Sequence, residues 1–307
     1  PGAADTAVID LPGSDPTIVF NTTATIDALE TKEKINLAGG ELTVTTTASV
    51  EATATLVGGR LNGGTWTVAA GGSLRANSHP SNRLTDVSFS GDVLLNSTFS
   101  QLEVYGATTF DTIHVSGIGA NVRFEPGSTV GGNVVFSGTN VNVRSMTVDG
   151  TGTLTIPSGV TIETAAGLVG NATLGDSGDT IINQGTIQAG AASRTLTIQP
   201  GTFTNDGTLQ VNTGTLTINS ANWLAGTGAT NMAGGTLRMD GSYTTDSVNP
   251  AGFNYSSGTV LIDGQFNNTG ETLPLSNSTG SWRLDGGNIT GGTITSADGQ
   301  GLTVSSN

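Results

Sequence analysis

The chain contains no cysteine, so it forms no disulfide, offers no thiolate to a metal and carries no Cys nucleophile. That absence does not assign a compartment, because stacked repeats draw stability from their neighbours. His79 and His114 are the only histidines, too few for a usual zinc site. Charged residues make up 11% of the 307, with 10 Lys and Arg against 24 Asp and Glu, for a net charge of −14. Phosphate backbones are bound by Lys and Arg that displace counterions, so nucleic acid and anionic membrane faces are disfavoured as partners. No apolar run approaches the ~18–20 residues of a membrane-spanning helix, so no membrane insertion by this segment is expected. The chain opens on Pro1 without a recognisable leader, which suggests a processed terminus or a piece of something longer.

What the chain does have is glycine, 46 residues of it, and a phrase that returns. Gly152-Thr-Leu-Thr-Ile156 recurs unchanged as Gly214-Thr-Leu-Thr-Ile218, with variants such as Gly40-Glu-Leu-Thr-Val44, Gly207-Thr-Leu-Gln-Val211 and Gly235-Thr-Leu-Arg-Met239. The gaps are 22 residues from Gly185 to Gly207, 21 from Gly214 to Gly235 and 23 from Gly235 to Gly258. Within the phrase, Leu154 and Ile156 share one face of a strand and Thr153 and Thr155 the other. Asn-Gly and Asp-Gly pairs such as Asn62-Gly63 and Asp240-Gly241 punctuate these short strands, as tight turns require.

Short strands with Gly turns fit an antiparallel sandwich or a parallel β-helix; the fixed period favours the latter. The sequence therefore predicts an all-β, right-handed parallel β-helix, a β-solenoid of about 21 residues per coil. Stacked at ~4.8 Å, roughly 14 coils would make a rod on the order of 65 Å long. Residues 1–36 are expected to form an N-terminal cap or lead-in strands, and 37–307 a single solenoid. The charge-dense Asp27–Lys34 segment reads as a turn rather than a helix. A longer repeat is also visible. A shift of 228 residues places Gly58-Gly59 on Gly286-Gly287, Gly63-Gly64-Thr65 on Gly291-Gly292-Thr293 and Ser78 on Ser306, so the second copy is expected to stop in mid-module.

Pro1-Gly-Ala-Ala-Asp-Thr-Ala-Val-Ile9, Leu37-Ala-Gly-Gly-Glu-Leu-Thr-Val44, Phe203-Thr-Asn-Asp-Gly-Thr-Leu-Gln-Val211 and Leu284-Asp-Gly-Gly-Asn-Ile-Thr-Gly-Gly-Thr-Ile294 resemble modules of very large bacterial surface proteins. These are the autotransporter-like or haemagglutinin-like β-strand-repeat proteins. The resemblance is compositional and covers nearly the whole chain. It implies an extracellular β-helix at the bacterial cell surface, in a fibre, stalk or adhesin, and it brings no active site or cofactor.

Residue constellations were weighed against that passive role. The enzyme rival is a pectin-degrading type of β-helix, whose chemistry needs convergent carboxylates or Ca²⁺ with a basic residue. The Asn-Thr-Asp, Asp-Asp and His-Gly series that a polygalacturonase resemblance would bring are absent. Asp111 with His114, Asp86 with Asp92, and Asp176 with Asp179 are the local acid–base candidates. Asp111 and His114 are three apart, which on a strand sends them to opposite faces. Gly175-Asp-Ser-Gly-Asp179 is the only acidic loop with spacing suited to calcium, and an ordinary Asp/Gly turn explains it as well. Trp66, Trp223 and Trp282 are candidate glycan contacts, weighed against packing at coil corners. Flat Thr ranks, as in ice binders, are interrupted where Gln210 and Arg238 stand in the phrase.

The expected function is a non-enzymatic extracellular structural or adhesive rod, with surface glycans or like subunits stacking end to end as partners. The alternatives are a polysaccharide-active β-helix, either lyase or depolymerase, and an end-to-end self-assembling filament subunit.

Overall fold

The structure, a computed structural model, describes residues 2–13, 15–69 and 72–305. It is nearly all β, built of parallel strands stacked as coils about 21 residues apart, a β-solenoid of about 14 turns. The chain divides into two compact units, Pro1–Asp149 and Gly150–Asn307.

In the first unit the stacking starts early. Thr6–Ile9 pairs in parallel with Ala28–Thr31, which pairs with Thr47–Val50, and that strand with Thr65–Val68. Thr6–Ile9, Thr17–Phe20, Thr23–Ile26 and Ala28–Thr31 are thus strands of the stack itself. The charged Asp27–Lys34 segment is not a turn: Ala28–Thr31 within it is a strand, with Leu29 and Thr31 inward. Alternation wins over charge here because Glu30 and Lys32 keep their heads in water while Leu29 reaches the core.

The core is made of columns. Ile18, Ile35, Ala54, Leu74, Val93, Ile113 and Val134 lie over one another through successive registers. A second column runs Ala24, Leu42, Leu61, Leu84, Val104, Phe124 and Val148. In a third, Ala48 lies next to Trp66, so a small side chain makes room for the indole. Burial of each such aliphatic side chain contributes about 1.5–3 kcal/mol.

The second unit repeats this logic. Leu154, Ile181, Phe203 and Trp223 form one column. Another runs Ala172, Leu196, Leu216, Leu237, Val260, Trp282 and Leu302. The repeated Thr-Leu-Thr-Ile strands bury Leu and Ile and leave Thr153, Thr155, Thr195 and Thr197 half-buried outside. The Thr ranks are broken as expected: Thr217 is followed in register by Arg238.

The 228-residue repeat has a backbone basis. Gly63 and Gly64 lie at φ of 66° and 73°, and Gly291 and Gly292 at 68° and 66°. Consecutive left-handed residues are open only to glycine at small cost, so both copies keep the pair. The expected match of Ser78 with Ser306 falls outside the described residues.

Buried asparagines close the turns. Asn82 accepts from the Gly58 N–H at 2.6 Å and donates to the Asn77 and Gln101 carbonyls at 2.7 and 3.0 Å. Asn183 donates to Asn205 Oδ1 at 2.7 Å, a side-chain bond between adjacent coils. These amides satisfy turn backbone that the narrow core would otherwise bury unpaired.

Candidate functional site

The three tryptophans are core residues. Trp66, Trp223 and Trp282 are 1%, 3% and 0% exposed. Trp66 Nε1 donates to the Gly63 carbonyl at 3.0 Å and Trp282 Nε1 to that of Thr279 at 3.1 Å. Trp223 packs between Phe203 and Tyr243, at centroid distances of 6.1 and 5.8 Å. With no open ring face, none of them stacks on a sugar in this structure, which corrects the glycan-contact expectation. Strand parity carried the signal: Trp66 alternates with Thr65 and Thr67 and shares its face with Val68.

The acid–base candidates also separate. His114 Nε2 lies 3.1 Å from Asp92 Oδ2, one coil earlier, instead of meeting Asp111. Asp86 accepts from the Ala107 N–H at 2.9 Å in a turn of its own. Asp179 accepts from the Asp176 N–H at 3.0 Å, and Asp176 from the Gly178 N–H at 2.9 Å. The Asp176–Asp179 loop is therefore a turn folded on its own carboxylates. Among the described residues, no group of three or more His, Asp or Glu side chains is arranged to hold a metal ion.

The structure brings together charges that the sequence scattered. On the outer face of the first unit, Arg60, Arg83, Glu103 and Arg123 lie in successive register. Glu103 is clamped from both sides. Arg83 donates to Oε2 from Nε at 2.7 Å and Nη2 at 2.5 Å, and Arg123 Nη2 donates to Oε1 at 2.6 Å. Arg123 also donates to Asp149 Oδ1 at 3.0 Å. Tyr105 donates its hydroxyl to the same carboxylate, and the Arg83 guanidinium sits 4.1 Å from the Tyr105 ring centre. Burial, and then the bond to Asp149, push the Tyr105 hydroxyl up to about 12. Every charge of this network except Arg60 is held tightly, which rigidifies the face. A paired carboxylate locked between guanidiniums is poorly placed to shuttle protons.

In the second unit an amide row replaces the ions. Glu163, Gln188, Gln210, Asn231 and Asn254 follow one another in register. Gln188 donates to Glu163 at 2.7 Å, Asn231 to Gln210 at 3.1 Å and Asn254 to Asn231 at 3.0 Å. At a neighbouring corner Arg238 Nε reaches Asp263 at 2.5 Å and Asp240 at 3.2 Å. Burial raises the Asp263 carboxyl above its ordinary value; Arg238 opposes the rise and Asp240 and Asp285 add to it.

Among the described residues the regular winding gives way to helix at one place. Thr245–Val248 is a single helical turn, followed by a 3-10 turn at Pro250–Gly252. It begins where Thr244 and Ser247 cap one another reciprocally, and it ends at Asn249 in a left-handed conformation, φ 50°. Two buried contacts anchor it: Ser247 Oγ donates to the Trp223 carbonyl at 2.6 Å and Thr245 Oγ1 to Asn268 at 2.5 Å. Asn249 Nδ2 donates to the Gly228 carbonyl at 2.9 Å. The insertion opens a cleft of about 500 Å³ between itself, the Ala225–Gly226 turn and the strand Thr272–Leu275. Asp246 and Glu271 line it together with Asn249, Thr272 and two prolines, Pro250 and Pro274. Neither carboxylate has a side-chain partner among the described residues, and no basic side chain lines the cleft. Sequence reasoning missed this site, although Val248-Asn-Pro-Ala-Gly252, a turn signal inside the repeat, marked the break.

Comparison with known protein families, with curated proteins and with solved structures finds no match.

Proposed function

We propose that this β-solenoid is a non-enzymatic structural or adhesive element of a bacterial cell surface, part of a fibre, stalk or adhesin. The observation that carries the reading is how the outer faces spend their polar groups. Glu103, Arg83, Arg123 and Asp149 satisfy one another, and in the amide row Gln188 bonds Glu163 while Asn254, Asn231 and Gln210 bond in succession. Such rows bind coil to coil and stiffen a face rather than leave groups poised to react. The sparse charge and the resemblance to β-strand-repeat surface proteins support the extracellular placement.

The test has two arms. Incubation with neutral and acidic polysaccharides, read for new reducing ends and unsaturated products, is expected to yield neither; sustained release of either refutes the non-enzymatic reading. A glycan array then separates adhesive from purely structural roles, since a blank array removes adhesion.

Two other readings each have a supporting observation. Depolymerase or lyase chemistry is favoured by the two carboxylates that share the Asp246–Glu271 cleft. Self-assembly with a second copy is favoured by the first coil, where Ala7, Ile9, Ile18 and Phe20 line an apolar hollow of about 380 Å³. Sedimentation across a wide concentration range tests the latter, and a constant monomer mass opposes it.

A further inference from the structure

We propose that Asn21, Asn96, Asn267 and Asn288 are acceptor sites for N-linked sugar, and that the folded solenoid is the substrate of the transferase. The proposal rests on the surface reading in one respect, that such acceptors belong to chains bound for the cell exterior, and its test separates the two. Seven described asparagines begin an Asn-x-Ser/Thr triplet: Asn21, Asn96, Asn171, Asn254, Asn267, Asn277 and Asn288. Their number is what a chain so rich in Asn, Ser and Thr yields at random; their placement is not. All seven are exposed, whereas of the other sixteen described asparagines three are, Asn142, Asn219 and Asn222. The buried amides Asn82, Asn183, Asn205 and Asn268 begin no triplet, and Asn268 directly follows the exposed Asn267 that does. Strand alternation does not account for this partition. An outward Asn shares its face with the residue two places on, and outward positions are rich in Thr. Yet Asn36, Asn62, Asn121, Asn133 and Asn231, outward on their strands and half-buried, are followed at that place by Ala38, Gly64, Arg123, Val135 and Ala233. The triplet follows exposure, which an acceptor needs and a structural amide does not.

Local geometry narrows the seven to four. At Asn21, Asn96, Asn267 and Asn288 the hydroxyl residue, Thr23, Thr98, Thr269 or Thr290, is exposed along with the amide. Asn288 Nδ2 donates to Thr290 Oγ1 at 3.3 Å, so the nitrogen stands beside the hydroxyl. Asn267 Oδ1 accepts from the Thr269 N–H at 3.1 Å in an Asx turn. These bonds lie within the triplets, so a sugar on Nδ2 breaks no tie between coils. The other three triplets each lack one requirement. Asn254 Nδ2 already donates to Asn231 and to the Gly252 carbonyl at 3.0 and 3.3 Å. Thr279, the hydroxyl of the Asn277 triplet, is 1% exposed and donates to the Pro274 carbonyl at 2.9 Å. Thr173, that of Asn171, is half-buried in the strand Ala172–Leu174.

The reaction is glycosyl transfer from a sugar whose C1 oxygen is esterified to phosphate. Nδ2 attacks C1; the N–C1 bond forms as the C1–O bond breaks, the phosphate leaves with the bonding pair, and the amide gives one proton to a base of the transferase. An amide nitrogen is a weak nucleophile because its lone pair is shared with the carbonyl, and a hydroxyl beside it offers the enzyme a hydrogen-bonding hold on the site. Asn267 and Asn288 also limit the size of the sugar. They lie on adjacent coils of one face, offset by two residues, since Asn267 pairs in register with Thr290. Strand spacing and rise place them about 8 Å apart, room for two slender sugars of one or a few linear units and not for branched ones. A hydroxyl-rich group at such sites keeps the surface soluble.

The experiment is glycopeptide mass spectrometry of the full chain isolated from the cells that produce it, with the chain located in the same cells by fractionation. Sugar mass increments are expected on Asn21, Asn96, Asn267 and Asn288, and none on Asn142, Asn219 or Asn222, which are exposed but begin no triplet. Single-sugar increments point to a nucleotide-linked donor and one fixed oligosaccharide to a lipid-linked donor; either supports the proposal. The variant Thr98→Ala, an exposed turn substitution that keeps Asn96, is expected to lose the increment at Asn96 and keep the other three, and Thr98→Ser to restore it. Bare asparagine at all four sites, or increments on Asn142, Asn219 and Asn222 as well, overturns the proposal. So does an Asn96 increment that survives Thr98→Ala. Occupancy of Asn277 equal to that of the four overturns the folded solenoid as the substrate. A sugar-free chain at the cell surface leaves the surface reading standing, whereas a sugar-bearing chain confined to the cytosol overturns that reading and keeps this one.

Discussion

Replacement of Glu103 by Ala probes the idea that the ion network of the first unit holds coils together. Its side chain is 9% exposed, and it receives hydrogen bonds from Arg83 and Arg123 at 2.5 to 2.7 Å. Removal leaves two guanidiniums facing one another across the missing rung of the register, Arg83 to Arg123. For a fully buried pair, loss of one partner costs about 3–5 kcal/mol. Arg83 and Arg123 keep 28% and 23% of their side-chain surface in water, which hydrates part of the orphaned charge. The expected loss is therefore about 2–3 kcal/mol. Urea unfolding would be followed by Trp66 fluorescence in a Trp223→Phe/Trp282→Phe background, so that the signal reports the first unit alone. The midpoint should fall with the slope unchanged. The exposed Lys32–Asp10 pair, 57% and 42% exposed, is the internal control, and Asp10→Ala should leave the midpoint within scatter. A Glu103→Ala loss below about 0.5 kcal/mol, or one abolished by about 0.5 M NaCl, would refute the reasoning, because a network shielded from solvent resists screening.

Two further outcomes follow from polar side chains that bond between coils. Asn183→Ala removes the 2.7 Å bond to Asn205 and should cost about 1–3 kcal/mol in the second unit, read from Trp223 and Trp282 fluorescence in urea; a neutral substitution would show that the interior amide pair is dispensable. The Tyr105 hydroxyl is raised from 10.0 to about 12, so its contribution to stability is fully present below pH 10.0 and is lost as pH rises through about 12. The urea midpoint of the parent chain should accordingly drop more steeply over that window than that of Tyr105→Phe, and parallel curves would contradict the Asp149 bond.

How much of this was legible in the sequence differs by element. The columns from Ile18 to Val134 and from Ala172 to Leu302 were readable in kind, since alternation within each strand fixes which residues face inward. The strand Ala28–Thr31 was missed because its charges, Glu30 and the neighbouring Lys32, drew attention from the Leu29 and Thr31 parity beneath them. For the tryptophans the sequence left sugar contact and packing at coil corners both open, and the strand faces on which they lie send the rings inward. The cleft was legible only as a break in the repeat at Val248–Gly252; that Asp246 and Glu271, about one coil apart along the chain, both line it was decided by how the coils stack.

The sequence by itself determined the winding: its period, the strands, and the division between aliphatic interior and hydroxyl-rich exterior. These follow from local rules, a side-chain alternation of two and glycine where the backbone must turn left-handed. Tertiary structure alone decided which outward residues become neighbours, that Glu103 meets two arginines, that Asn183 meets Asn205, and that a helical turn opens a cleft between two acids. Coil lengths vary by a few residues from turn to turn, so cross-coil partners depend on how each corner closes, and that closure is settled by packing against the coils above and below rather than by any local pattern.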